Sequence, residues 1–170
     1  MKQDHDKLYM STVFERQFDP SFSMLERIIE NCPKSIWTQK NVVPQFWQQV
    51  YHVLYGLDYW FSDSEHTFTP PEGSEHLSPD LAEQSEKTVD QDWMKQYLQT
   101  VRTKIEQYLE NMDDTRLLQV SPLYNKWTNF DVLLDQLRHL QHHIGYLNRL
   151  IKKCGSAPAE WHSFGVEKIA

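Results

Sequence analysis

The chain has 170 residues with 17 basic and 24 acidic side chains, a net charge of −7 that argues against nucleic acid and anionic membranes as partners. Five glycines without a GxGxxG or GxxxxGK string exclude a glycine-rich nucleotide cradle, and two cysteines exclude a disulfide scaffold. The N-terminus lacks a signal peptide's apolar stretch, and no apolar run reaches the roughly 18 residues of a membrane span. We therefore expect a soluble cytoplasmic protein whose residues 1–170 form one domain, with its core at about 8–155 and a tail at 156–170.

Four segments carry apolar residues at helical spacing, and the first covers residues 8–32. Asp19 and Pro20 interrupt it. Either the helix kinks at this point, or Asp19 caps a second helix that has Pro20 in its first turn. Pro33 ends the segment.

The other three segments repeat apolar residues at alternating intervals of four and three, the pattern of a bundle helix. They cover about 44–61, 88–112 and 128–154. Thr128 suits the N-cap of the last helix, and Gly155 suits its end. Because four apolar stripes can be buried only against one another, the pattern predicts an all-α four-helix bundle.

Segment 62–87 is long for a connection within a compact domain. It holds three prolines and seven acidic residues. A segment of this kind usually has a function or acts as a mobile lid. The tail after Gly155 carries Pro158 and Trp161, and we expect it to fold back onto the bundle.

The histidines raise the question of a metal site. His139 and His143 lie one turn apart on one face of the last helix, and His52 lies beside the apolar stripe of the second. Three neutral imidazoles there would hold a divalent ion and leave coordination positions open. The alternative is ordinary histidines at the bundle rim, bonded to their neighbours. The sequence has no HExxH and no helical Glu-x-x-His pair, which argues against a zinc protease and a di-iron bundle.

Other side chains would shape such a site. Two glycines near the histidines remove side-chain bulk, which suits either an open site or a close approach of two helices: Gly56 and Gly145. We expect the remaining histidines to face solvent, with contact to a metal ligand as the alternative for His142: His5, His66, His76, His142 and His162. Hydroxyls and amides beside the site are candidates to orient substrate or an imidazole, although simple rim packing is the alternative for each tyrosine: Tyr55, Tyr59, Tyr146, Gln48, Gln49 and Gln136.

The two cysteines, Cys32 and Cys154, both lie at helix C-terminal ends. The helix dipole raises the pKa of a thiol at this end of a helix. We therefore interpret both as packing residues and not as catalytic thiols.

Two stretches resemble the DinB-like superfamily. Residues 138–145, RHLQHHIG, match the H-x-x-x-H-x-G of its last helix, and residues 44–54, PQFWQQVYHVL, are similar to its second helix. Helix order and the long connection agree as well, so the resemblance covers about 8–163. It implies an up-down-down-up four-helix bundle, often a homodimer, in which His52, His139 and His143 hold zinc, nickel or a similar ion.

The resemblance also implies a class of activity, because the better understood relatives are metal-dependent transferases of small thiols such as bacillithiol or mycothiol, together with a thiol-dependent isomerase. It therefore implies one divalent ion per chain and a small thiol as cosubstrate. Ligand chemistry alone allows two enzyme reactions, activation of a thiol for transfer or of water for hydrolysis of a small molecule. Residues with a catalytic role beyond the ligands stay unassigned. The alternatives are a non-catalytic metal- or ligand-dependent interaction module and a vestigial site.

Overall fold

The computed structural model describes residues 9–39, 44–64, 66–83 and 87–165, and these ranges form six helices and no strand. The described part of the chain is therefore all-α, as predicted. His5 lies outside the described residues. The helices are α1 (Met10–Asn31), α2 (Lys34–Trp37), α3 (Phe46–Trp60), α4 (Gln91–Glu110), α5 (Asp114–Leu117) and α6 (Asn129–Lys153).

The four long helices enclose one apolar core. Both α1 and α3 contact α4 and α6, so each long helix has two long neighbours. The apolar stripe of each helix faces this core, which buries its largest side chains almost completely. These include Trp37, Trp47, Tyr51, Phe18, Phe22, Leu25 and Met94.

Helix α1 continues through Pro20, so Asp19 does not begin a second helix. A proline inside a helix removes a backbone hydrogen bond, at a cost of about 3 kcal/mol. Here the ring of Pro20 is buried in the core, and the Ser21 hydroxyl donates to the carbonyl oxygen of Gln17 at 2.7 Å. The carboxylate of Asp19 pairs with Arg102 of α4. Burial of the ring and the pairing of Asp19 with Arg102 stabilise α1 here. The Ser21 hydroxyl bonds to Gln17 and does not replace the missing backbone bond.

A side-chain cap marks the start of α6, and a glycine marks its end. Thr128 and Asp131 form a capping box, in which each side chain accepts a hydrogen bond from the backbone N–H of the other residue. Gly155 follows the helix with a φ of +79°, a conformation that favours glycine. The predicted start and end of this helix are therefore confirmed.

The tail folds back onto the bundle as expected. Asn148 of α6 exchanges two hydrogen bonds with the backbone of Ala159, at 2.8 and 2.9 Å, and Ala159 is buried. Trp161 is nevertheless 73% exposed, so the backbone of the tail, and not this ring, makes the contact. None of the described helices is long and apolar enough to cross a membrane.

The two cysteines differ. Cys32 is buried, and burial raises the pKa of its thiol to about 12, which suits a packing residue. Cys154 is exposed, so its interpretation as a packing residue is wrong. It is the C-cap of α6 and lies beyond the last buried residue of that helix, Ile151.

Candidate metal centre

The structure brings His52 of α3 together with His139 and His143 of α6. Each residue offers one ring nitrogen, and these three nitrogens lie within 4.8 Å of one another. The ring centroids are 4.7 to 5.1 Å apart. His143 is buried and the other two are half-buried, so the cluster lies at the edge of the core, where α3 packs against α6.

Hydrogen bonds define the tautomers of two of these rings. The Nδ1–H of His52 donates to the carbonyl oxygen of Pro79 at 2.8 Å. The Nδ1–H of His143 donates to Oε1 of Gln49, also at 2.8 Å. In a neutral imidazole with its proton on Nδ1, Nε2 carries a lone pair. His52 and His143 therefore each have an Nε2 atom ready to bind a metal ion.

The two nitrogens of the third ring, His139, cannot both form hydrogen bonds with the described residues around it. Its Nε2 lies 3.1 Å from Nε2 of His52, and its buried Nδ1 has no hydrogen-bond partner among those residues. A proton on Nε2 leaves the buried Nδ1 acceptor unpaired, whereas a proton on Nδ1 sets two lone pairs against each other. A cation that accepts both Nε2 lone pairs would remove their repulsion, so the three imidazoles fit a metal ion, while the Nδ1–H of His139 would still have no acceptor among the described residues.

The imidazoles of the α6 pair stay neutral at physiological pH. The pKa of His139 is lowered to about 4 and that of His143 to about 3, first because the rings are buried and then because neighbouring imidazoles oppose further positive charge. Neutral imidazole is the form that binds metals. The cluster itself contains no carboxylate, so the charge of a bound divalent ion would not be neutralised by its ligands.

Of the two glycines near the site, only Gly56 makes room for it. A Cβ at Gly56 would lie 3.3 Å from Cε1 of His139, closer than most side-chain contacts, and 3.9 Å from Oε1 of Gln136. A Cβ at Gly145 would meet nothing within 4 Å. The prediction that Gly145 relieves crowding is therefore wrong, because that position faces open space on α6.

Two cavities meet at His52 and Gly56. One, of about 860 Å³, has walls of mixed polarity that carry charged and amide side chains, and we call it the polar cavity; besides these two residues it is lined by Trp60, Asp135, Gln136, Arg138, His139, Gln141 and His142. The other, of about 520 Å³, has mainly apolar walls; besides the shared pair it is lined by Tyr55, Tyr59, Pro79, Asp80 and Leu81. The cluster can therefore be approached from a polar side and an apolar side.

Hydrogen bonds and cavity linings show which of the other expected residues lie at the site. Gln49 bonds to His143, and Tyr55 and Tyr59 line the apolar cavity. Tyr146 lines a different cavity, with Phe46 and Cys154, so its expected role at the site is wrong. The histidines expected at the surface are exposed where the structure describes them: His66, His76, His142 and His162.

The part of the site that the sequence did not reveal is the carbonyl of Pro79. It belongs to the long segment 62–87, which Gln48 attaches to α3. The buried Nε2 of Gln48 donates to the carbonyl oxygens of Asp80 and Glu83, at 2.7 and 2.8 Å. The only sequence signal was the unusual length of the segment.

A protein-family model described as the DinB superfamily matches residues 17–147. The chain belongs to the DinB superfamily. This confirms the resemblance of the sequence stretches around His52 and His139. The DinB match contains all three clustered histidines, together with Gln49 and Pro79, which bond to them. A search of the curated proteins found no match to this chain.

Proposed function

We propose that this DinB-superfamily protein binds one divalent metal ion, zinc or nickel, through His52, His139 and His143, and that it is a metal-dependent enzyme. The observation that carries the proposal is the convergence of three imidazole nitrogens within 4.8 Å of one another, with the Nε2 atoms of His52 and His139 3.1 Å apart. Nitrogen-rich sites of this kind bind zinc and nickel well.

The substrate we propose is a small thiol or water, activated for transfer or hydrolysis. A divalent ion with three neutral ligands would supply the positive charge that lowers the pKa of a bound thiol or water toward neutrality. The protein's own residues then hold and orient the reactants. Pro79 and Gln49 keep the imidazole protons on Nδ1, and the two cavities provide space on either side of His52.

These cavities favour an enzyme over the alternative, a non-catalytic interaction module on the same bundle. An enzyme needs a concave site next to its reactive centre, whereas a module can act through exposed patches alone. The resemblance to the superfamily further supports an up-down-down-up arrangement of the four long helices and a homodimer, and both features belong to the proposal. The location in the cytoplasm that the sequence led us to expect belongs to it as well.

Cobalt(II) substitution tests the proposed chemistry, because cobalt reports its ligands in its absorption spectrum. We expect the untagged, cobalt-loaded protein to gain a thiolate-to-cobalt band when a small thiol is added. The apparent pKa of that thiol should lie below its free value of about 8.5. Turnover is then screened with thiols plus electrophiles, and with esters and amides. A protein that binds cobalt but neither perturbs a thiol nor turns over any substrate would favour the interaction module.

A further inference from the structure

The apolar cavity beside His52 is lined by two tyrosine rings that pack against a third aromatic ring. The rings of Tyr55 and Tyr59 both pack nearly perpendicular to the ring of Phe68, with centroids 5.0 and 5.4 Å apart. Burial also raises the pKa of Tyr55, so its hydroxyl is uncharged at neutral pH. This side of the cavity is therefore a preformed apolar surface.

Residues 79–81 form another part of the lining of this cavity. The carboxylate of Asp80, the one charged group among the described residues that line this cavity, accepts a hydrogen bond from the N–H of Ala82 at 2.8 Å. Gln48 fixes the backbone at Asp80 and Glu83, as described above. The side chain of Leu81 is therefore presented to the cavity by a segment that α3 holds in place.

The charged and amide side chains lie on the other side of Gly56. Arg138, Asp135 and Gln136 line the polar cavity, and none of them lines the apolar one. His52 and Gly56 belong to both cavities, so a molecule whose head group reaches His52 can extend in either direction. The chemistry of its substituent decides which direction is favourable.

We propose that the site selects ligands that carry an uncharged aromatic or alkyl substituent on their metal-binding head group. The substituent lies in the apolar cavity between Tyr55, Tyr59 and Leu81. This inference rests on the proposed function, since the three histidines must hold the metal that binds the head group. It adds a substrate class: the thiol or its reaction partner carries an apolar group and is not polar throughout.

Two hydroxamates test the proposal, because both bind metals through the same head group. Acetohydroxamate carries a methyl group and benzohydroxamate a phenyl ring. Each is titrated into the cobalt-loaded, full-length protein, and binding is followed by the cobalt absorption. After correction for their affinities toward free cobalt, we expect benzohydroxamate to bind about tenfold more tightly, from burial of its ring.

Matched variants test whether the phenyl ring of benzohydroxamate lies in the apolar cavity. Leu81→Asp and Tyr59→Ser should each reduce the ratio of benzohydroxamate to acetohydroxamate affinity to about one. The cobalt content of both variants should stay at the wild-type value. Arg138→Ala, on the polar side, should leave the preference unchanged. Equal binding of the two hydroxamates by the wild-type protein would overturn the inference. So would a preference that survives both Leu81→Asp and Tyr59→Ser but is lost in Arg138→Ala. A protein that takes up no cobalt would instead overturn the proposed function, and the inference with it.

Discussion

Helix α3 carries two polar clusters, one toward α6 and one toward α4, and they differ in how completely their hydrogen bonds are made. Toward α4, Asp58 is buried, and its carboxylate accepts hydrogen bonds from the hydroxyl of Tyr97 at 3.0 Å and from Nζ of Lys104 at 2.6 Å. The same Nζ donates to the carbonyl oxygen of Asp58 and to Ser62. Toward α6, the three histidines have no charged partner within the cluster, and Nδ1 of His139 has no hydrogen-bond partner among the described residues.

The difference separates a structural cluster from a binding one. In the Asp58 cluster the charges compensate and each donor of Lys104 has an acceptor, so nothing is left for a ligand to satisfy. In the histidine cluster the polar atoms are brought together without completing their bonds, which costs stability unless a cation enters. The two clusters should therefore respond oppositely to mutation, pH and metal.

Removal of the carboxylate in Asp58→Ala should have the largest effect on folding. Lys104 and Tyr97 would lose their acceptor, and we expect the free energy of unfolding to fall by about 3 kcal/mol, as for a broken buried ion pair. Urea denaturation of the metal-free protein measures this. Metal stoichiometry should stay unchanged, because Asp58 does not belong to the histidine cluster. A loss of metal from a folded Asp58→Ala protein would contradict the separation of the two clusters.

Acid should destabilise the metal-free protein through His139 and His143. Their pKa values are about 4 and 3 in the folded state, against about 6.5 when unfolded, so the unfolded chain binds more protons in between. The contribution of these two histidines to the free energy of unfolding is therefore fully present above pH 6.5, and it is lost as the pH drops toward 4. Because His139 is only half-buried and water screens its charge, we expect a loss on the order of 2 kcal/mol across this window, less than the two pKa shifts alone would give.

The double variant His139→Gln/His143→Gln isolates this contribution in urea titrations at several pH values. It should show a smaller loss of stability over the same window than the wild type. If both proteins lose stability equally between pH 6.5 and 4, the two histidines do not carry the acid sensitivity.

Gln49→Met should weaken metal binding with little change in folding. Without the Oε1 acceptor, the Nδ1–H of His143 is no longer held, and loss of a ligand's hydrogen-bond partner typically lowers metal affinity about tenfold. Competition with a chromophoric chelator measures the affinity. Gln45→Met is the matched control, a buried glutamine of the same region whose side-chain amide bonds to no described residue. Equal affinities in the two variants would show that Gln49 does not position His143.

Gln48→Met should have the smallest effect. It releases the carbonyls of Asp80 and Glu83, so Pro79 would hold the imidazole of His52 less firmly. Because Gln48 acts only through the loop, we expect metal affinity to fall by about threefold, less than in Gln49→Met. The nitrogen chemical shifts of His52 should also show a mixture of tautomers. A single Nδ1–H tautomer in Gln48→Met would mean that Pro79 stays in place without this anchor.

The parts of the molecule that depend on local sequence were predictable. The intervals of four and three residues place the helices, Thr128 and Gly155 mark the ends of α6, and the spacing of His139 and His143 puts both rings on one face. Helices α2 and α5, each of four residues, are too short for a periodic pattern to be visible.

The parts that depend on distant contacts were not predictable from periodicity. Pro79 is 27 residues from His52, and its carbonyl carries no side-chain signal at all. Gly145 and Tyr146 lie on α6 within three residues of His143, but they occupy other faces of the helix and do not contact the cluster. Side-chain direction around a helix, set by its packing, decides which neighbours in sequence become neighbours in space.

Metal content per chain is the decisive measurement for the three-histidine site. It should be measured on untagged protein, since a histidine tag binds metal itself, with wild type beside His52→Ala and His139→Ala/His143→Ala. We expect one ion per wild-type chain after reconstitution with zinc or nickel, and none in either variant while the helical circular dichroism signal is kept. A wild-type protein that takes up neither metal, or variants that retain the ion, would contradict a metal centre formed by these three histidines.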